Sequence, residues 1–135
     1  MAKHYKELLV WQRAMDLVTE VYRTTATFPD HEKFGLAAQL NRAAVSVPSN
    51  IAEGQGRFTP GEFKQFLGHA RGSLFEVETQ VIIAENLGLI RKAKCRKLHE
   101  LIGEVGRLLN GLIRSLRTGA GQAAARDREQ LTTSH

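Results

Sequence analysis

A single cysteine, Cys95, stands in the 135-residue chain, so no internal disulfide can form, in keeping with a reducing compartment. No apolar run approaches the ~20 residues of a membrane-crossing helix. The N-terminus, Met1-Ala-Lys-His-Tyr-Lys-Glu7, has basic residues but no apolar core behind them of the signal-peptide kind, so no secretory leader is expected. The expected location is the cytoplasm, with no membrane partner. Period-two alternation is missing too, so no strand pattern competes anywhere. Chemistry-bearing patterns are equally sparse. The histidines His4, His31, His69, His99 and His135 are scattered, with no second histidine at i+3 or i+4. A di-iron bundle needs repeated Glu-x-x-His pairs, and His69 with Glu76 is too little, so no metal is expected. Gly54-Gln-Gly56 lacks the third glycine of a dinucleotide loop, since Thr59 occupies its place and a helix precedes it. Lys94 and Arg96 beside Cys95 would lower its pKa, but no histidine partner is indicated, and the residue reads as a surface thiol. Ser46, Ser49 and Ser73 have no placed base. The expectation is therefore no catalytic residue, no cofactor and no enzyme.

What is present is helical periodicity. With 42% hydrophobic and 24% charged residues, the composition is that of a folded globular chain rather than a disordered one. Leu8, Trp11, Met15, Val18 and Tyr22 step by three and four and predict an inward face for a helix from about Leu8 to Ala26. Phe28-Pro29-Asp30 ends it, and Asp30 is placed to cap a second helix from about Glu32 to Glu53. That helix has an apolar stripe, Leu40, Ala44, Val47 and Ile51, and holds Pro48 in its interior, which deletes a backbone hydrogen bond and implies a useful bend. Gly54 and Gly56 are natural terminators in the left-handed conformation.

Thr59, Pro60 and Glu62 form the clearest helix start in the chain: N-cap, first-turn proline and capping box. Phe63, Leu67, Ala70, Leu74, Val77, Val81 and Ala84 then form a bundle seam that ends at Gly88. Gly68 and Gly72 imply close approach of a neighbouring helix or subunit. Phe66, Phe75, Ile82 and Ile83 lie off the seam and point to self-association. A fourth helix, about Ala93 to Leu116, carries a wide apolar face. The predicted fold class is all-α, an antiparallel up-down-up-down four-helix bundle over residues 1–118, followed by a flexible tail at 119–135.

Charge is unevenly placed. The net charge is +5, yet residues 1–90 hold nine Lys/Arg against ten Asp/Glu. Residues 91–117 hold eight, Arg91, Lys92, Lys94, Arg96, Lys97, Arg107, Arg114 and Arg117, against Glu100 and Glu104, a net of +6. Such a segment attracts polyanions. It also reads as a solvated face, and Arg114 and Arg117 complement the helix dipole. A second candidate is the polar stripe of Arg42, Asn50, Glu53 and Arg57 with Lys64 and Arg71 on the third helix. Either these cations contact phosphates while Asn50 offers an amide, or Arg–Glu pairs bridge helices or subunits. The candidate nucleic-acid-binding residues are thus Arg42, Asn50, Arg57, Lys64 and Arg71 with the eight cations of 91–117.

The run Phe34-Gly-Leu-Ala-Ala-Gln-Leu-Asn-Arg-Ala-Ala-Val-Ser-Val-Pro-Ser-Asn-Ile-Ala-Glu-Gly-Gln-Gly-Arg57 resembles the hallmark of bacterial four-helix-bundle proteins encoded within intervening sequences of 23S ribosomal RNA genes. Glu62 to Leu67, Ala70 to Gln80 and Leu87-Gly88 continue the likeness, which spans about residues 5 to 117. The resemblance implies a cytoplasmic homopentamer without enzyme activity and, from gene location, an association with ribosomal RNA. The stretch Ile102-Gly-Glu-Val-Gly-Arg-Leu-Leu109 is similar to the last helix of a related pentameric bundle, the accessory variability protein of diversity-generating retroelements. That protein binds a reverse transcriptase and nucleic acid. Two functions follow as expectations: a nucleic-acid-binding oligomer, or a protein-interaction scaffold.

Overall fold

Four helices carry the fold in the computed structural model, which describes the backbone of residues 4–129 and side chains from His4 to Leu116. The fourth helix runs past its expected end at about Leu116 to Glu129, while residues 130–135 of the expected tail at 119–135 lie outside the described residues and the side chain of Arg117 lies outside the described side chains. A 3-10 turn at Tyr5–Glu7 leads into α1 (Leu9–Thr25), and a second at Asp30–Glu32 precedes α2 (Leu36–Gln55). Then follow α3 (Pro60–Asn86) and α4 (Lys92–Glu129). Among the described residues there is no strand.

The third helix forms as its sequence dictates. The Thr59 hydroxyl accepts from the Glu62 N–H at 3.1 Å, and Pro60 takes the first turn, where its missing N–H leaves no helical bond unmade. The return contact runs from the Thr59 hydroxyl to the Glu62 carboxylate at 3.0 Å. At the other end Gly88 adopts φ +72°, the one left-handed residue among those described. The Leu89 and Gly88 N–H groups reach back to the Ala84 and Glu85 carbonyls at 2.9 Å, a Schellman closure. Between these ends Leu67, Ala70, Leu74, Val77, Val81 and Ala84 are buried, with Phe63 packed at the margin.

The α2 stripe of Leu40, Ala44, Val47 and Ile51 is wholly buried, and the helix continues through buried Pro48. Its start differs from expectation. Residues 30–32 form a 3-10 turn, and the α2 N-terminus is capped by the Glu32 carboxylate, which accepts from the Leu36 N–H at 3.2 Å. Its end differs as well. Gly54 lies inside α2 and Gly56 closes it at φ −81°, so neither needs left-handed backbone. Gly54 is required by packing, because a Cβ there would lie 2.7 Å from Phe66 Cβ and 3.0 Å from Phe63 Cδ1. By contrast a Cβ on Gly68 or Gly72 would meet nothing within 4 Å, so among the described residues no helix makes the close approach expected there.

The α1 face is corrected. Val10, Ala14, Leu17 and Val21 point into the core, whereas Met15 and Tyr22 are 39% and 48% exposed. The apolar arc of α1 is wide enough for either stripe, and contacts with the neighbouring helices settle its rotation. Arg13 grips Glu104 of α4 through two bonds of 2.9 and 2.8 Å, and the Thr25 hydroxyl donates to the Asn41 side chain at 2.8 Å. The displaced Trp11, Met15 and Val18 line an open apolar groove against Val45 and Pro48. From α4, Leu98, Leu101, Ile102, Val105, Leu109 and Ile113 complete the core, each helix contributing side chains worth about 1.5–3 kcal/mol on burial.

Candidate nucleic-acid interface

The basic segment begins where α3 turns into α4. Gly88 ends α3 and the chain crosses in a few residues, so Arg91 and Lys92 stand at the very start of α4. From there helical geometry decides which cations face inward. Lys94 and Lys97, three apart, lie over α1, where the buried Glu20 (5% exposed) receives both, at 2.9 Å from Lys94 Nζ and 3.0 Å from Lys97 Nζ. Arg23, one turn along α1, adds a third contact at 3.3 Å. The hydrogen bond from Lys94 is the chief cause that holds the Glu20 carboxyl at about pKa 2, overcoming the upward push of burial, with Lys97 assisting. Further along, Arg13 lowers the Glu104 carboxyl through its hydrogen bonds, and Glu104 raises Arg13 in return.

Two of the expected cations are therefore tied to α1. Arg91, Lys92, Arg96, Arg107 and Arg114 are exposed and have no ion pair among the described residues. Two hollows open beside the start of α4. One, of about 530 Å³, brings Arg91 and Lys94 together with Arg23, Leu89 and Ile90. The other, of about 680 Å³, brings Lys92 and Arg96 beside Glu85, Cys95 and His99.

The second candidate group, on α2 and α3, is held differently. The Asn50 amide donates to the Ser46 carbonyl at 2.8 Å and to the Ser46 hydroxyl at 2.9 Å, so both contacts are internal. Ser46 and Ser73 join the two helices by hydroxyls 2.8 Å apart. Among the described residues no Arg–Glu pair bridges α2 and α3; Arg57 contacts Glu53 at 3.9 Å on its own helical turn. The Arg57 guanidinium lies 4.6 Å over the Phe66 ring and that of Arg71 lies 5.4 Å over Phe75. Lys64 and Arg42 are exposed without ion-pair partners, Arg42 at the rim of a small hollow of about 210 Å³ that also holds Ser46, Ser73 and Gln80. Arg57 and Lys64 flank the start of α3 and Arg91 lies in the turn after it, roughly 40 Å of helix apart, so the candidates do not form one compact site.

Sequence reasoning missed Arg23 and Glu20, because nothing local marks a contact across 74 positions. It also misread Cys95. The thiol is buried, donates to the Ile90 carbonyl at 3.7 Å, and has its pKa raised by burial and by Glu85. Lys94 turns to Glu20 on α1, and the lowering effect of Arg96 on the thiol is outweighed by burial and Glu85. A histidine does stand nearby: His99, one helical turn on, hydrogen-bonds Glu85. The i, i+4 spacing of Cys95 and His99 was the readable signal. A thiol kept protonated is a poor nucleophile, and among the described residues no three His, Cys, Asp or Glu are arranged to hold a metal ion. No helix among them is long and apolar enough to cross a membrane.

The family model described as 23S rRNA-intervening sequence protein matches residues 6–111. No curated protein matches the sequence. A solved structure of similar fold is the crystal structure of a protein with unknown function from the S23 ribosomal protein family of Bacteroides thetaiotaomicron. It superposes with a TM-score of 0.71 at 18% identity, covering 78% of this chain and 98% of that one.

Proposed function

Because the chain belongs to the family of 23S rRNA-intervening sequence proteins, we propose that it is a non-enzymatic, oligomeric module that binds structured RNA in the cytoplasm. The observation that carries this reading is a set of five exposed cations, Arg91 just before α4 and Lys92, Arg96, Arg107 and Arg114 along it, with no ion pair among the described residues. Glu20 ties Lys94 and Lys97 to α1, so these five supply most of the field a phosphate backbone would meet. Multiplying that surface by assembly would make phosphate contact multivalent. The bundle topology proposed is antiparallel, up-down-up-down. In its support, Arg13 meets Glu104 while Glu20 meets Lys94, Ser46 meets Ser73 while Gly54 meets Phe66, and Leu74 meets Gly106 while Glu85 meets His99.

Titrating structured RNA at several salt concentrations tests the reading. Affinity should fall with salt at a slope of about −0.7 to −0.9 per phosphate neutralised, and replacing Arg91, Arg96 and Arg107 by alanine should flatten the slope by roughly 2 to 3. Salt-independent binding, or none, would refute it.

One observation favours a second role on another surface. Phe75, Ile82 and Ile83 are 52%, 44% and 42% exposed on α3, beside the open Gly68 and Gly72. A helix from outside this chain fits there, either from another copy, five being the number implied by the family resemblance, or from a protein partner such as a reverse transcriptase. Light scattering after nuclease treatment separates these: a particle of 15.0 kDa excludes self-assembly, and a foreign protein retained without nucleic acid supports the scaffold.

A further inference from the structure

Glu20 is surrounded by more positive charge than it can neutralise. Arg23, Lys94 and Lys97 all place a nitrogen within 3.3 Å of its two oxygens. One cation would satisfy a buried carboxylate; three leave two positive charges over, gathered where mutual repulsion opposes them. Arg91 adds another and has no ion-pair partner among the described residues. Arg23, Arg91 and Lys94 face one hollow of about 530 Å³, in the size range of small-molecule sites. Glu20 is not itself part of the lining, but its carboxylate contacts two of the lining cations, Arg23 and Lys94.

Two further features act on the same hollow. The α4 helix starts at Lys92, so the N–H groups of its first turn have no helical acceptor and bring partial positive charge to the wall that Arg91 and Lys94 form. Leu89 and Ile90 give the hollow an apolar side beside its cationic one. Thr24 and Thr27 donate their hydroxyls to backbone carbonyls at 2.7 Å, so the lining is dominated by cations rather than neutral donors. Counting Arg23, Arg91, Lys94 and Lys97 against Glu20 leaves three positive charges, an excess that suits the doubly charged phosphate monoester better than an internal diester with its single charge.

We propose that this hollow binds a phosphate monoester, as carried by the end of a nucleic-acid strand or by a free nucleotide. In its strand-end form the proposal rests on the RNA-binding reading above. Its geometry also gives α1 a part in recognition, through Arg23, that the charge pattern of residues 91–117 does not contain.

The test uses the whole protein and short single-stranded oligoribonucleotides of one sequence, ending in a 5′-phosphate, a 3′-phosphate or hydroxyls only. A nucleoside monophosphate and its nucleoside form the second arm. Fluorescence anisotropy or calorimetry should show a phosphate-ended strand binding about tenfold tighter than the hydroxyl-ended one. A monophosphate that binds where its nucleoside does not supports the proposal in its free-nucleotide form. Arg91→Ala should erase the preference without changing the thermal melt, since Arg91 is exposed and unpaired. Arg114→Ala, well along α4, should weaken all strands by one factor and leave the preference intact. Equal affinity for all strand ends together with no monophosphate binding overturns the proposal. If those strands still bind with a normal salt slope, the RNA reading survives that failure. Monophosphate binding with no strand binding does the reverse, keeping the site and removing the RNA reading.

Discussion

Replacing Glu20 by glutamine isolates the electrostatic joint between α1 and α4. Glu20 is 5% exposed and accepts from Lys94 and Lys97 at 2.9 and 3.0 Å. Its carboxyl is held at about pKa 2 against an ordinary 4.5, which corresponds to about 3 kcal/mol of stability as an upper value. The folded-state pKa is the lower one. The contribution is therefore complete above about pH 4.5 and is lost as pH falls toward about 2. Glu104, also depressed by its partner Arg13, titrates in both proteins and cancels in the comparison. The assay is urea denaturation of the natural protein and of Glu20→Gln at pH 7 and again at about pH 2. At pH 7 the variant should be the less stable by roughly 1–3 kcal/mol. Toward pH 2 the gap should close, because a protonated Glu20 differs little from glutamine. A gap that stays constant across that range would refute the claim that ionised Glu20 holds α1 to α4.

Gly54→Ala should destabilise the protein by about 1–3 kcal/mol, seen as a Tm lower by roughly 4 °C or more, because its methyl would sit 2.7 Å from Phe66 Cβ and force α3 outward. Gly72→Ala places its methyl in open space and should raise stability by about 0.5–1 kcal/mol; a lowered Tm together with a smaller particle would instead show that another chain occupies that face. Cys95 should react with a thiol reagent slowly in the native protein at pH 8 and quickly in denaturant, since burial and Glu85 keep it protonated. Equal rates in the two conditions would contradict its placement.

The parts of the molecule legible in its sequence are those whose cause is local. Thr59, Pro60 and Glu62 start α3 through contacts within four residues, and Gly88 ends it through its own backbone freedom. The buried seam from Leu67 to Ala84 and the α2 stripe from Leu40 to Ile51 follow from helical period alone. Membership of the family was legible for a similar reason, because the block around Pro48 is continuous in sequence. The candidate site was legible only as a surplus of charge. Which cations stay free depends on Glu20, 74 positions before Lys94, and no periodicity connects the two.

From its sequence alone the chain was bound to form four amphipathic helices, the third capped and stopped where it is, with excess positive charge on the last. Those outcomes need only neighbours along the chain. Tertiary structure decided the rotation of α1, which buries Leu17 rather than Met15, and the burial of Cys95. It also decided the division of α4 cations into those held by Glu20 and those without an ion pair among the described residues. An amphipathic helix with a wide apolar arc and a flexible cation can each satisfy several partners. Only packing against the other helices selects one.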